Sequence, residues 1–398
     1  MRRAAFALAS VFASLTLAAA CGPKTGVAPG EEGGNGEEEE EDCPDPNNQR
    51  RCGGVCVDQD TDPNHCGACG HACLGAPCID YVCDPLTLAF GQDLQKPIFL
   101  DATHVTFTRY VTASGPEDKI FRVPKDGGDA KELATTGKVK SLVVLKNRVV
   151  WSAAVTVEGG EVERRIESCA LPDCTDRKVI VPHAHGGGDQ VLATDGERLF
   201  WVNGAAASDA RRFSVESCDV ASCEATLATF APARSGAWPH TPGFAVSDDY
   251  VFWSVLGELH GCPKAGCTGD SRYPAPGTIG KVGTNGAEVF FMSFDGPEGG
   301  NAKVMACAVT GCGNAPRIVY RYSYGELEEN DVAADDKKAF FSLGDQLDSC
   351  PVTGCDYPGP VVQNSLEEDT TIQLDETYVY VVHYGPKGRG FELVRAPK

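Results

Sequence analysis

The sequence predicts an all-β chain whose bulk, residues 85–398, folds as a seven-bladed β-propeller, with six or eight blades as alternative counts. Three observations carry this. First, a phrase recurs seven times, as "DATHVTF", "LKNRVVW", "DGERLFW", "SDDYVFW", "NGAEVFF", "DDKKAFF" and "DETYVYV". Each copy has a polar turn, then apolar residues two places apart, which is the alternation of a strand. Second, the closing large residues, Phe107, Trp151, Trp201, Trp253, Phe291, Phe341 and Val381, recur at intervals of roughly 40–50 residues, the repeat length of a propeller blade. Third, C-x4-C returns five times with a similar interval, and no amphipathic helix separates the strands.

One unit supports four strands. In the third, "DQVLAT" reads as the inner strand, "RLFWVN" as the second, "RRFSVESC" as the third and "CEATLAT" as the outer one. The brackets Cys169/Cys174, Cys218/Cys223, Cys262/Cys267, Cys307/Cys312 and Cys350/Cys355 then fall between third and outer strands. Cysteines flanking so short a turn can lie opposite each other in a hairpin, at disulfide separation. Each such staple restricts the unfolded chain by about 2 kcal/mol in the loop-entropy model. Redox catalysis is a poor fit, because it typically uses C-x2-C at a helix start. The first unit has "VPKDGGDAKEL" instead, where Gly127 and Gly128 make the turn by backbone freedom. The last unit stops after a third strand, "FELVRAP", while "PLTLAFG" at 85–91 is a spare strand before the first inner one. The expectation is that residues 85–91 supply the missing outer strand and close the ring.

Residues 1–20 begin with Arg2 and Arg3 and continue as an uncharged run ending "LTLAAACG", which reads as an export signal too short for a comfortable membrane span. Cleavage after Ala20 by an ordinary signal peptidase is one reading. The other rests on cysteine arithmetic. Of 19 cysteines, eight lie in 43–83 and ten form brackets, so Cys21 is left over. The run before Cys21 resembles a bacterial lipobox, although Ala18 stands where that family prefers Leu. The resemblance implies a lipid on Cys21 and, with Gly22 next, passage to an outer membrane. Residues 21–42, rich in Gly, Pro and Glu, read as a solvated tether that cannot bury a core. The net charge of −21 and the lack of any basic run exclude a nucleic-acid partner.

Residues 43–84 hold eight cysteines with few large aliphatics, so disulfides must replace a core there, in a pairing the sequence leaves open. "TDPNHCGACGHAC" resembles a short Cys-rich module of secreted bacterial proteins, which carries no known activity across. Asp58, Asp60, Asp62 and Asn64 have the alternate spacing of a calcium loop, but Pro63 and Cys69 occupy positions where an EF-hand needs Gly and Glu. His65, Cys66, Cys69 and His71 can be drawn as zinc ligands, against the competing claim of disulfides on the same sulfurs. No metal or other cofactor is expected. The phrase D-x-x-x-V-x-W in 85–398 resembles the YWTD-type and NHL-type propellers of extracellular and periplasmic proteins, many of them six-bladed. That resemblance implies architecture and no particular activity.

In such a meander the disulfide hairpins leave one face of the ring and the long loops leave the other. The long loops carry His183, His185, Trp238, His240, Tyr322, Tyr324 and Tyr384, the candidates for a binding face. No catalytic residue is assigned, since G-x-S-x-G, H-E-x-x-H and a phosphate loop are all missing from the sequence. The expected function is a cell-envelope lipoprotein that binds a protein, peptide or glycan without catalysis. The alternative is an exported lyase or hydrolase working at the mouth of the central channel.

Overall fold

The computed structural model describes 43–398, apart from residues 46–48, 112–114, 116, 183, 185–190, 205–211, 236–242, 256–257, 268–271, 274–277, 295–300, 314, 323–330, 344–345, 364–370 and 385–389. Residues 43–398 form one compact unit. Within it the chain is nearly all strand, with a single helical turn at Cys223–Thr226 among the described residues.

From residue 86 onward the strands form antiparallel meanders of four. Five are separate four-stranded sheets, and a seven-stranded sheet holds two more that share the long strand Lys131–Leu145. Units 1 and 2 are these two. Unit 1 runs Leu94–Leu100, His104–Tyr110, Glu117–Pro124 and residues 131–137; unit 2 runs 138–145, Arg148–Thr156, Val162–Ala170 and Lys178–Val181. Gly137 lies where the strand passes from one sheet to the other, and a Cβ there would sit 2.2 Å from the Ala154 carbonyl oxygen. Beside it the buried Asp118 carboxylate accepts hydrogen bonds from Lys138 Nζ and the Val139 N–H, so the crossing is held by charge as well as by pairing.

Units 3 to 6 have the inner strands Leu192–Thr194, Phe244–Val246, Thr278–Thr284 and Val332–Ala334. Unit 7 consists of Gln373–Leu374, Tyr378–Tyr384, Phe391–Pro397 and, as its outer strand, Leu86–Gly91. The register of that last pair runs from Phe391↔Gly91 to Arg395↔Leu86. The fold is a β-propeller in which strands from the two ends of the described chain share one sheet.

The recurring phrase has a direct structural meaning. Its large residues, Phe107 through Val381, are all at most 3% exposed. Most stand directly across from an apolar inner-strand residue, as in Leu142↔Trp151, Leu192↔Trp201, Phe244↔Trp253 and Val332↔Phe341. Such residues on both faces of every sheet build seven apolar clusters, each joining two neighbouring units, the last joining unit 7 to unit 1 through Leu88, Tyr380, Ile98 and Phe107. Sheets that bury both faces against neighbours are what allow strands so short to persist.

The polar turn of each phrase is an Asx-type turn. Asp101, Asp195, Asn285, Asp335 and Asp375 each accept backbone N–H bonds from the residues two and three places on, and the Ser247 hydroxyl accepts one from Tyr250. Unit 2 differs. Its turn residues Lys146 and Asn147 take left-handed φ values of 46° and 60°, the signature of a two-residue hairpin turn.

These turns meet the next unit. Lys264 of unit 4 reaches Asp195 of unit 3 at 2.9 Å, Lys398 of unit 7 reaches Asp335 of unit 6 at 2.6 Å, and Lys125 of unit 1 reaches Asp375 of unit 7 at 3.0 Å. Each lysine follows a proline at the end of a third strand, and Val220, Val309 and Val352 take its place in units 3, 5 and 6. Burial pushes the Asp375 carboxyl up, but the N–H groups of Tyr378 and Thr377, the Tyr380 hydroxyl and Lys125 outweigh it and hold it down at about 2. The unfolded carboxyl titrates near 3.8, so its ionised form adds stability above about pH 4 that is lost as pH falls through the interval down to 2. Asp375→Asn should therefore lower stability at pH 7 by about 1–2 kcal/mol, allowing for partial exposure of the clasp, and the deficit should vanish toward pH 2. Urea denaturation of both proteins across that range measures it, and a deficit independent of pH would refute the clasp.

All five brackets pair internally, as Cys169–Cys174, Cys218–Cys223, Cys262–Cys267, Cys307–Cys312 and Cys350–Cys355, with Cα separations of 4.7, 4.9, 5.2, 4.7 and 5.7 Å. Their placement corrects one expectation. The first cysteine of each is the last residue but one of a third strand, but the second does not stand opposite it at the start of an outer strand. Cys174, Cys267, Cys312 and Cys355 lie in the connections, and the outer strands begin only at Lys178, Arg272, Arg317 and Gly359. The ladder between third and outer strands explains this, because it stops short of the first cysteine in every unit, at Ser168↔Lys178, Ser217↔Ala228, His260↔Arg272, Ala306↔Arg317 and Ser349↔Gly359. Each disulfide therefore closes a turn beyond the ladder and is no cross-strand pair within it.

The half-buried second cysteines also pack toward the seams. Cys174 lies against the cluster of Trp151 and Leu171, its φ of 55° and its N–H on the Ala170 carbonyl fixing a tight turn. Cys312 lies against the cluster joining units 4 and 5, and Cys355 against that joining units 5 and 6, where its N–H donates to the Val319 carbonyl of unit 5 at 3.0 Å. In unit 3 residues 223–226, expected as the start of the outer strand, make the helical turn. The Thr226 hydroxyl donates to the Ser222 carbonyl and accepts from the Asp219 N–H, and the outer strand begins only at Ala228. Unit 1 turns without a bracket, with Gly127 and Gly128 at φ of 88° and 123° and the Gly127 N–H on the Pro124 carbonyl.

Residues 43–84 contain two small hairpins and the disulfides Cys43–Cys56, Cys52–Cys69, Cys66–Cys78 and Cys73–Cys83. The strand Val82–Cys83 lies against Gly359–Val362 of unit 6. Nine disulfides in one chain fit folding in an oxidising compartment, as in exported proteins.

Candidate functional site: the central channel

Seven inner strands stand around the ring's axis, and every unit contributes to the wall of a channel enclosing about 430 Å³. Equivalent positions follow from the pairing of inner and second strands. The apolar anchors Ile98, Leu142, Leu192, Val282, Val332 and Ile372 are buried in the seams, and Phe244 is half-buried. The residue before each anchor is where the wall changes character from unit to unit: Ser141 in unit 2, Lys281 in unit 5, Asp331 in unit 6, Thr371 in unit 7.

Two of these side chains bind the next unit. Ser141 Oγ accepts the Leu192 N–H at 3.0 Å, and Asp331 Oδ2 accepts the Ile372 N–H at 2.8 Å. Asp331 Oδ1 accepts the Val332 N–H as well. The carboxylate is thus turned along the wall. Lys140 is exposed and Lys281 half-buried in the same channel, and they are with Asp331 the charged side chains of its described lining.

Carboxyl groups held below their usual range belong elsewhere. For Asp101, Asp195 and Asp335 burial again pushes upward, and backbone N–H donors with Arg122, Lys264 and Lys398 prevail. All three sit in the turns of the disulfide face. The buried Glu167 is clamped by Arg165 and Arg177 inside unit 2. In unit 4 the buried His260 stacks on Trp253 and has Glu258 at 3.5 Å.

Of the residues expected on the loop face, His183, His185, Trp238, His240 and Tyr324 lie outside the described residues. Tyr322 ends the outer strand of unit 5 and packs half-buried against the cluster of Phe294, Ala302 and Phe341, so part of its ring serves the seam. Tyr384 ends a second strand with its backbone paired to Phe391. Cys21 also lies outside the described residues. In the disulfide-rich region Asp58 and Asp62 spend oxygens on turn bonds with Asp60, Thr61 and Asn64. Cys66 and Cys69 are in disulfides, which removes the thiolates a zinc site needs. Among the described residues the one group of metal-ligating side chains close enough to share an ion, Cys66, Cys73 and Cys78, is engaged in disulfides in the same way.

Lys140, Lys281 and Asp331 escape a reading of the sequence for motifs. Their signal is positional: each stands one or two residues ahead of an inner-strand anchor, where the other units have Pro97, Val191 or Gly243.

Fold and channel together define a disulfide-stapled β-propeller with a polar axial cavity. No protein-family model matches the chain, and no curated protein matches it. Among solved structures it is similar to the β-propeller domain of the trilobed protease from Pyrococcus furiosus, at a TM-score of 0.52 and 11% identity over 77% of this chain and 96% of that one. It is also similar to the acylaminoacyl peptidase of Pyrococcus horikoshii, at a TM-score of 0.50 and 10% identity over 76% of this chain and 50% of that one. At such identities the likeness is one of fold. The Pyrococcus furiosus domain is described as having an open velcro topology. Here the strand Leu86–Gly91 pairs with Phe391–Pro397 instead.

Proposed function

We propose that the protein is an exported lipoprotein, tethered to the cell envelope through a lipid on Cys21, whose seven-bladed ring is a non-catalytic binding module for a protein, peptide or glycan. The observation that carries this reading is the distribution of titratable groups. The carboxyl groups of Asp101, Asp195, Asp335 and Asp375, held below their ordinary range, are structural clamps of the opposite face, while the charged side chains of the channel's described lining are Lys140, Lys281 and an Asp331 carboxylate that accepts backbone N–H groups. An acid–base pair for lyase or hydrolase chemistry commonly shows as displaced groups facing the cavity. Export is supported by the disulfides.

Two measurements test the reading. Immobilised 43–398 should retain envelope material saturably and release it to soluble competitor; turnover of lyase or hydrolase substrates without saturable retention would overturn the binding role. Cys21→Ala should move the protein from the membrane pellet to the soluble fraction, and an unchanged pellet would overturn the anchor.

A further inference from the structure

We propose that the channel is a site for a small anion, a carboxylate or phosphate compound, held between Lys140 and Lys281. The inference rests on the binding-module reading above and names the chemistry of its ligand. The two lysines come from units 2 and 5, three units apart around the ring, so they face the cavity from well-separated parts of its wall. Both stand within an inner strand just ahead of its apolar anchor, Lys140 two residues before Leu142 and Lys281 one before Val282, where the Thr278–Thr284 strand shifts register against its partner.

Lys281 is the telling residue. Lys125, Lys264 and Lys398 each hold a turn carboxylate across a seam, whereas among the described residues no carboxylate pairs with the half-buried Lys281. Its neighbour Asp331, in the equivalent position of unit 6, directs its carboxylate to the N–H groups of Val332 and Ile372. An ammonium left without a counter-charge in a concave, partly desolvated wall focuses positive potential into the cavity. A cation would be repelled by the Lys281 ammonium. A volume of about 430 Å³ suits a small molecule, with Thr371 and Gln373 available in the wall for further polar contacts.

The test is calorimetric titration of the full chain, in parallel, with inorganic phosphate and with citrate at constant ionic strength set by sodium chloride. At least one should bind saturably, and the arm that does so distinguishes phosphate from carboxylate ligands. Lys281→Met, which keeps the apolar stem, should weaken binding at least tenfold, Lys281→Arg should stay within about threefold, and Lys178→Ala on the outer strand of unit 2 should change nothing. Absence of saturation in both arms, or Lys281→Met binding as tightly as the parent, overturns the proposal. Should Lys281→Met melt early, Lys140→Met replaces it, with a loss of at least threefold expected and none overturning the site. Retention of envelope material is measured on the same variants. Retention without anion binding defeats the channel site alone, and anion binding without retention defeats the macromolecular partner alone.

Discussion

Removal of Leu86–Gly91 should unseat the ring at the seam between units 7 and 1. That strand is paired along Phe391–Arg395, buries Leu88 and Ala89 in the seam cluster, donates the Thr87 hydroxyl to Glu392 at 2.9 Å and accepts Arg109 on the Phe90 carbonyl. Loss of Leu88 alone is a large-to-nothing change in a core, about 2–5 kcal/mol, before the exposed edge of Phe391–Pro397 is counted. A fall in melting temperature of about 10 °C or more is expected, together with faster hydrogen exchange in Tyr378–Tyr384 and Phe391–Pro397 than in units 3 to 5. Deleting 22–84, which contacts the ring through Val82–Cys83, should cost much less. Equal melting temperatures for the parent and the protein lacking 86–91 would remove the closing strand from the account of stability.

The second large effect concerns the brackets. Replacing all ten bracket cysteines by alanine should cost on the order of 10 kcal/mol, as much as the whole net stability of many domains, and leave the ring largely unfolded at 37 °C. A single bracket should cost about 2 kcal/mol. The units should differ. In unit 4 the described outer strand is only Arg272–Tyr273, paired to Leu259 and His260, so Cys262–Cys267 is the main tether of that edge. The Tyr273 ring is buried there and its hydroxyl donates to the Val309 carbonyl of unit 5. Loss of this bracket should reach the 4–5 seam. Denaturant midpoints of the five double mutants check the ranking, and non-reducing peptide maps check the pairing. Free thiols or cross-unit bridges in the parent would refute both.

Much of this architecture is written in the alternation of the strands. Trp151, Trp201, Trp253, Phe291 and Phe341 announce the second strands because a residue that large can be buried at every unit only in a repeating seam. What alternation conveys poorly is anything decided between units. The shared strand Lys131–Leu145 is continuous only because Gly137 permits close approach to Ala154 and Asp118 binds Lys138, a relation between residues far apart in sequence. The bracket spacing announced the disulfides, but the positions of Cys174, Cys312 and Cys355 outside the strands depend on where each ladder stops, which spacing does not encode. The turn at Cys223–Thr226 follows from the bonds of the Thr226 hydroxyl with the Ser222 carbonyl and the Asp219 N–H, which outweigh a strand-like pattern of three or four residues. The channel lysines were illegible for a different reason: they contribute nothing to the apolar period that identifies the strand they sit on. The long loops were legible as loops, and their aromatic and histidine side chains lie mostly outside the described residues.

The clasps on the disulfide face sort the units into classes. Lysine is offered to a turn that carries aspartate at three seams: Lys125 to Asp375, Lys264 to Asp195 and Lys398 to Asp335. Where the preceding turn carries neutral Ser247 or Asn285, the incoming residue is Val309 or Val352. At the junction of units 2 and 3 the polarity is reversed, with Lys146 in the turn and Asp219 arriving at 3.0 Å. An exchange between a lysine-bearing unit and a valine-bearing one, within one ring or between two nascent chains, would set a lysine against a neutral turn or a valine against an aspartate. Repeat proteins whose units resemble one another are prone to such exchange. Units with nearly the same apolar pattern thus carry a charge-based mark that sorts the neighbours they accept into classes.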